Sequence, residues 1–131
     1  MFSTSFNINV QDKYTQISLL EDKFTANAAP DLKAELVLLK SSGTKNIIFD
    51  LEKSNYCDSS GLSVILIANR ICKENGGCLV LCNLQVAVAK LIDISQLNKV
   101  LNITPSFNEA VDFIFMDELE KGLVDGEEQS D

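Results

Sequence analysis

The sequence predicts a single α/β domain: a mixed β-sheet, opening with an antiparallel hairpin and continuing in parallel strands, packed with about four helices. Three observations carry this. The chain begins with an alternating segment, Phe6-Asn7-Ile8-Asn9-Val10, followed by a polar turn and a second strand-like run. Two short apolar runs, 47–51 and 78–82, read as strands buried on both faces. Between them lies a longer apolar stretch bounded by Asp58-Ser59-Ser60-Gly61 and Gly76-Gly77, which is helix punctuation. Strand, helix, strand in that order is a βαβ unit with parallel strands.

The elements follow in order. Gln11-Asp12-Lys13 makes the tight turn of the hairpin, and 14–20 its second strand. Asn27 is the expected N-cap of the first helix, with Pro30 in the first turn, where its missing N–H costs nothing. Ala28, Leu32, Leu36 and Leu39 recur at helical spacing, and Ser41-Ser42-Gly43 closes the helix. Residues 47–51 form a buried strand, and 52–55 a polar loop. Taken alone, Val64-Ile65-Leu66-Ile67 fits a buried strand equally well; length and flanking residues decide for a helix over 60–75, capped by Asp58 or Ser59. After the strand 78–82, Leu84, Val88, Leu91 and Ile92 mark a further helix, and 100–103 a last strand. Ser106-Phe107-Asn108-Glu109 is a capping box opening a final helix with Ala110, Val111 and Ile114. Past Lys121 the chain turns to Gly, Asp, Glu, Gln and Ser. The expected division is a body over 1–121 and a disordered acidic tail over 122–131.

The balance of 46% hydrophobic and 23% charged residues in 131 is that of one ordinary globular domain. The net charge of −8 is unevenly spread: seven acids and one base fall in 117–131, leaving the body nearly neutral. Neither part offers the basic face that nucleic acid requires. No apolar run approaches the ~20 residues of a membrane span. Met1-Phe2-Ser3-Thr4-Ser5 lacks the character of a secretory signal, so a cytoplasmic setting is expected. Cys57, Cys72, Cys78 and Cys82 form no C-x-x-C pair, and the chain contains no histidine. They read as small buried hydrophobes in a reducing compartment, with no metal or cofactor expected.

Asp58-Ser59-Ser60-Gly61-Leu62 lies between a strand and a helix, where sites form in parallel sheets. Two hydroxyls at a helix start stand beside unpaired N–H groups and the positive end of the helix dipole, a setting that suits an anion, including phosphate on serine. Gly61, without a side chain, leaves room for a partner's backbone. The plainer reading makes Asp58 or Ser59 only an N-cap. A serine nucleophile would need a base; there is no histidine, and neither Ser59 nor Ser60 begins an S-x-x-K spacing. The turn is neither G-x-S-x-G nor a G-x-x-x-x-G-K-[ST] phosphate loop. Binding, not catalysis, is the expected role.

Several segments in sequence resemble the STAS-domain family, and within it the anti-sigma factor antagonists. These are Asn46-Ile47-Ile48-Phe49-Asp50-Leu51, Cys57-Asp58-Ser59-Ser60-Gly61-Leu62, Asn75-Gly76-Gly77-Cys78-Leu79-Val80-Leu81, and Val88-Ala89-Lys90-Leu91-Ile92-Asp93-Ile94-Ser95-Gln96-Leu97. The resemblance runs from about Phe6 to Phe115. It implies a STAS-like mixed sheet with helices packed on it. It also implies that Ser59 is phosphorylated by an anti-sigma factor serine kinase, that unphosphorylated chain binds that kinase and frees a sigma factor, and that a serine phosphatase restores the active form. Asp58, Ser60, Gly61 and Leu62 would then border the phosphosite in the docking surface. Where many antagonists carry Gly and Asp after the second strand, this chain has Glu21-Asp22-Lys23-Phe24-Thr25, with Thr25 roughly in the place of that Asp. The altered loop admits an alternative: a constitutive STAS scaffold, an unphosphorylated subunit of a larger assembly. Neither nucleic acid nor membrane is expected as a partner.

Overall fold

The structure, a computed structural model, describes residues 5–129, with side chains described as far as Gly122. Strand β1 (Phe6–Val10) pairs antiparallel with β2 (Thr15–Leu19), the expected hairpin. The short β3 (Lys23–Phe24) precedes helix α1 (Ala29–Ser41) and strand β4 (Ile47–Asp50). Then come β5 (Tyr56–Cys57), α2 (Ser59–Glu74), β6 (Leu79–Cys82) and α3 (Val86–Ile94). A 3-10 turn (Leu97–Lys99), β7 (Asn102–Thr104) and α4 (Phe107–Gln129) complete the chain. The main sheet has the order β1-β2-β4-β6-β7, with β2, β4, β6 and β7 parallel.

The central strands are apolar throughout because both their faces are covered. Ile17, Leu19, Ile47, Phe49, Leu51, Leu79 and Leu81 meet α1, α2 and α3 on one face. Ile48, Val80 and Cys82 meet Ala110 and Ile114 of α4 on the other. In α2, Val64, Ile65, Ala68, Ile71 and Cys72 are buried while Leu66 is exposed, a 3.6-residue period that settles 64–67 as helix. The Ser106 hydroxyl accepts the Glu109 N–H at 3.2 Å, one half of the expected capping box.

Two expectations need correction. The N-cap of α1 is Ala28, not Asn27; the Asn27 N–H instead reaches the Thr25 hydroxyl at 3.4 Å, and the Thr25 carbonyl accepts from Ala28 and Ala29. The Thr25 turn thus takes the capping task, and burial of Ala28 fixes the register. The pair β3–β5, two residues per strand, has no periodic signal in the sequence. The backbone of α4 is helical to Gln129, past the Lys121 boundary. Extending an existing helix costs little once its first turns are docked. Of the expected tail, 122–131, residues 130 and 131 and the side chains of 123–129 lie outside the described residues.

Candidate functional site

Parallel strands β2, β4 and β6 end at the same edge of the sheet, and their following loops are knitted together there. Ser54, 1% exposed, donates its hydroxyl to the Glu21 carbonyl at 2.9 Å. The Asp22 carbonyl accepts the N–H groups of Asn55 and Tyr56, and its carboxylate accepts from the Asn55 amide at 2.6 Å. Asn83 donates to the Asp50 carboxylate at 3.2 Å, and Gln85 donates to the Glu52 carbonyl. These bonds make a fixed platform from three loops.

On that platform β3 and β5 pair in parallel, with Phe24 opposite Cys57. Phe24 is fully buried and stacks on Phe49 of the main sheet, ring centroids 6.3 Å apart. Its carbonyl accepts the Asp58 N–H at 3.3 Å. Asp58 is therefore held in extended conformation (φ −108°, ψ −171°) as the chain turns into α2. One oxygen of its carboxylate, Oδ1, accepts the N–H groups of Ser60 at 2.9 Å and Gly61 at 3.1 Å. Asp58 is the N-cap, one of the two candidates read from the sequence.

Ser59 is the first residue of α2 and is exposed to solvent; Ser60 behind it is half-buried. Leu62 is half-buried against the core, and Thr25, half-buried, follows Phe24 just as Asp58 follows the paired Cys57. The structure thus brings Thr25, Asp58, Ser59 and Ser60 to one edge. Gly61 differs from expectation. It is buried, and a Cβ on it would lie 2.4 Å from the Phe24 carbonyl oxygen and 2.9 Å from the Cys57 sulfur. The space beside Gly61 is filled by this chain's own β3. The helix start is also not a bare anion site, because the Asp58 carboxylate already accepts from the first-turn N–H groups.

Sequence reasoning missed Phe24, the anchor of the small sheet. A lone aromatic within Glu21-Asp22-Lys23-Phe24-Thr25 was its signal. The four cysteines are free and buried. Burial pushes the Cys57 thiol up to about 12, with the Asp58 charge adding to it. That thiol stays protonated beside the site. Among the described residues no group of three His, Cys, Asp or Glu is arranged to hold a metal, and no helix is long and apolar enough to cross a membrane.

Residues 7–110 match the STAS domain family. The chain belongs to the STAS domain family, in the group of the anti-sigma factor antagonists. It is 31% identical to the anti-sigma-B factor antagonist of Bacillus subtilis over 101 residues, which is 75% of this chain and 92% of that protein. The fold is that of the antagonist SpoIIAA in its unphosphorylated form: TM-score 0.69, 20% identity, covering 83% of this chain and 96% of that one. SpoIIAA of Bacillus in the phosphorylated form superposes with a TM-score of 0.67 at 22% identity, over 83% of this chain and 98% of that one.

Proposed function

We propose that this STAS protein is an anti-sigma factor antagonist switched by phosphorylation of Ser59. Unphosphorylated, it binds an anti-sigma serine kinase and so releases a sigma factor to transcription. Phosphorylated, it lets go, and a serine phosphatase returns it to the binding form. The observation that carries this reading is Ser59 itself. In a chain of this family it is an exposed hydroxyl at the first position of α2, held in place by the Asp58 cap and the β3–β5 pair. That a fold relative, SpoIIAA, has been solved with and without phosphate supports it.

The sign of the switch follows from charge. A phosphate on Ser59 would gain about 0.3–1 kcal/mol from the helix dipole. The neighbouring Asp58 carboxylate works against that gain, so the fold's stability changes little either way. The effect is felt at the interface. For transfer, the Ser59 hydroxyl approaches the γ-phosphate of the kinase's ATP. Carrying ~1.5–2 negative charges of its own, it would be pressed against nucleotide phosphates. Like charges so juxtaposed cost several kcal/mol, which is orders of magnitude in affinity.

The test is binding. By calorimetry against the kinase, Ser59→Ala should bind as well as the unphosphorylated wild type without ATP, and should keep that affinity on incubation with ATP, where the wild type loses it. Ser59→Asp should bind at least tenfold more weakly with an unchanged melting temperature. Equal binding of wild type and Ser59→Asp would defeat the switch and favour the constitutive scaffold.

A further inference from the structure

Ser59 does not sit on a flexible peptide. Cys57 before it and Gly61 after it are buried, β5 is paired with β3, and Asp58 caps the turn. A kinase cannot thread this segment as an extended strand and read its sequence. Recognition has to come from folded surface around the hydroxyl.

Helix α3 supplies such a surface. It packs against β5, the strand that runs directly into Asp58. Val88 and Ile92 are buried on its inner side, with Leu91 half-buried. Val86, Ala87, Lys90, Asp93 and Ile94 stand on the opposite side, all exposed, at spacings from Val86 of one, four, seven and eight residues that keep them on one face. Val86 is 71% and Ile94 80% exposed, the highest values among the large hydrophobics of the described residues. Eight residues of helix put these two ends about 12 Å apart. The hydrogen bond from Gln85 to the Glu52 carbonyl fixes the start of α3 to the platform that holds Ser59. Tyr56, 49% exposed, is on β5, the strand that α3 packs against and that leads into Asp58.

Of the other helices, α2 exposes Leu66, two turns along the face that starts at Ser59, while the apolar residues exposed on α1 and α4 lie away from it. Phe115, Met116 and Leu119 are on α4, across the sheet. Val37 and Leu38 are in the last turns of α1, toward the end where Lys45 and Asn46 enter β4.

We propose that the outer face of α3 is a docking surface for the anti-sigma serine kinase, continuing its contact from Ser59 over Tyr56 to Val86, Lys90 and Ile94. The inference rests on the reading of Ser59 as that kinase's substrate. It also states the partner's chemistry. The kinase presents an apolar strip to Val86 and Ile94, flanked by polar groups that meet Lys90 and the exposed Asp93 one turn on, so that neither charge is covered unpaired.

The experiment uses the full chain and the anti-sigma serine kinase of the same source organism, purified and loaded with Mg·ADP. Ile94→Asp and Lys90→Glu should each raise the Kd tenfold or more. With ATP they should raise the KM for Ser59 phosphorylation in parallel and leave kcat within twofold, since the hydroxyl itself is unmoved. Leu38→Asp, the same change of chemistry on α1, should stay within twofold of wild type in both. Melting temperatures of all three should match wild type. Wild-type affinity in the α3 variants, with binding still lost in Ser59→Asp, would place docking elsewhere and leave the switch intact. Unchanged kinase affinity with an altered monomer–dimer equilibrium in sedimentation would make the face a contact between copies and overturn the proposal. A wild-type chain that the kinase neither binds nor modifies would end both readings.

Discussion

Gly61→Ala is the substitution that most sharply separates an internal role for this glycine from a partner-facing one. The new Cβ would meet the Phe24 carbonyl oxygen at 2.4 Å, the Cys57 sulfur at 2.9 Å and the Phe24 ring at 3.0 Å. Restoring ordinary contact requires about 1 Å of movement in a close-packed region. Overpacking of this kind costs about 1–3 kcal/mol. Displacing the Phe24 carbonyl also weakens its hydrogen bond from Asp58, worth about 0.5–1.5 kcal/mol. Against these stands the better helix propensity of alanine, about 0.5–1 kcal/mol. The clash wins, with a net loss of roughly 1–3 kcal/mol. At about 3–4 °C per kcal/mol for a domain of this size, the melting temperature should fall by about 3–12 °C. Differential scanning calorimetry reads this directly. A melting temperature unchanged or raised, together with weaker kinase binding, would refute the reasoning, because the empty space would then face a partner.

Four further outcomes follow from the same structure. Asn46, 2% exposed, donates to the Lys13 carbonyl at 3.0 Å and the Glu118 carboxylate at 2.6 Å and accepts the Cys78 N–H at 3.0 Å; Asn46→Ala should cost on the order of 3 kcal/mol in denaturant unfolding. Burial raises the thiols of Cys72, Cys78 and Cys82 from 9.0 to about 12, as it does that of Cys57, so native protein at pH 8 should react slowly with a disulfide reagent and fast once unfolded; rapid labelling of the folded chain would contradict this. Because these thiols ionise more readily in the unfolded chain, their contribution to stability is full below pH 9 and is lost as the pH rises toward 12. Truncation after Gly122 should leave the melting temperature almost unchanged, since the core residues of α4, Ala110 and Ile114, precede it; a marked drop would mean that the tail contributes to the body.

The main elements were legible because their signals are strong. Runs such as Ile47-Ile48-Phe49 and Leu79-Val80-Leu81 cannot be exposed, and the Asp58-Ser59 pair at one end and Gly76-Gly77 at the other bracket α2. The small sheet was not legible, since two-residue strands have no period to detect. Its consequence for Gly61 was therefore misread: the same absence of a side chain serves either a neighbour in the fold or a partner, and only the position of Phe24 decides. The start of α1 misled for a related reason. Asn27 has the right chemistry for a cap, but Ala28, buried at 1% exposure, sets where the helix begins. Ser59 could be placed at a helix start from sequence; that it is exposed while Ser60 is half-buried required the structure.

The account stands or falls on Ser59. The full chain, incubated with its anti-sigma serine kinase and ATP and then mapped by tandem mass spectrometry, should carry a single phosphate, on Ser59, and should lose its affinity for the kinase in step with that modification. Phosphate found only on Ser60 or elsewhere, or none with a kinase proven active, would contradict it.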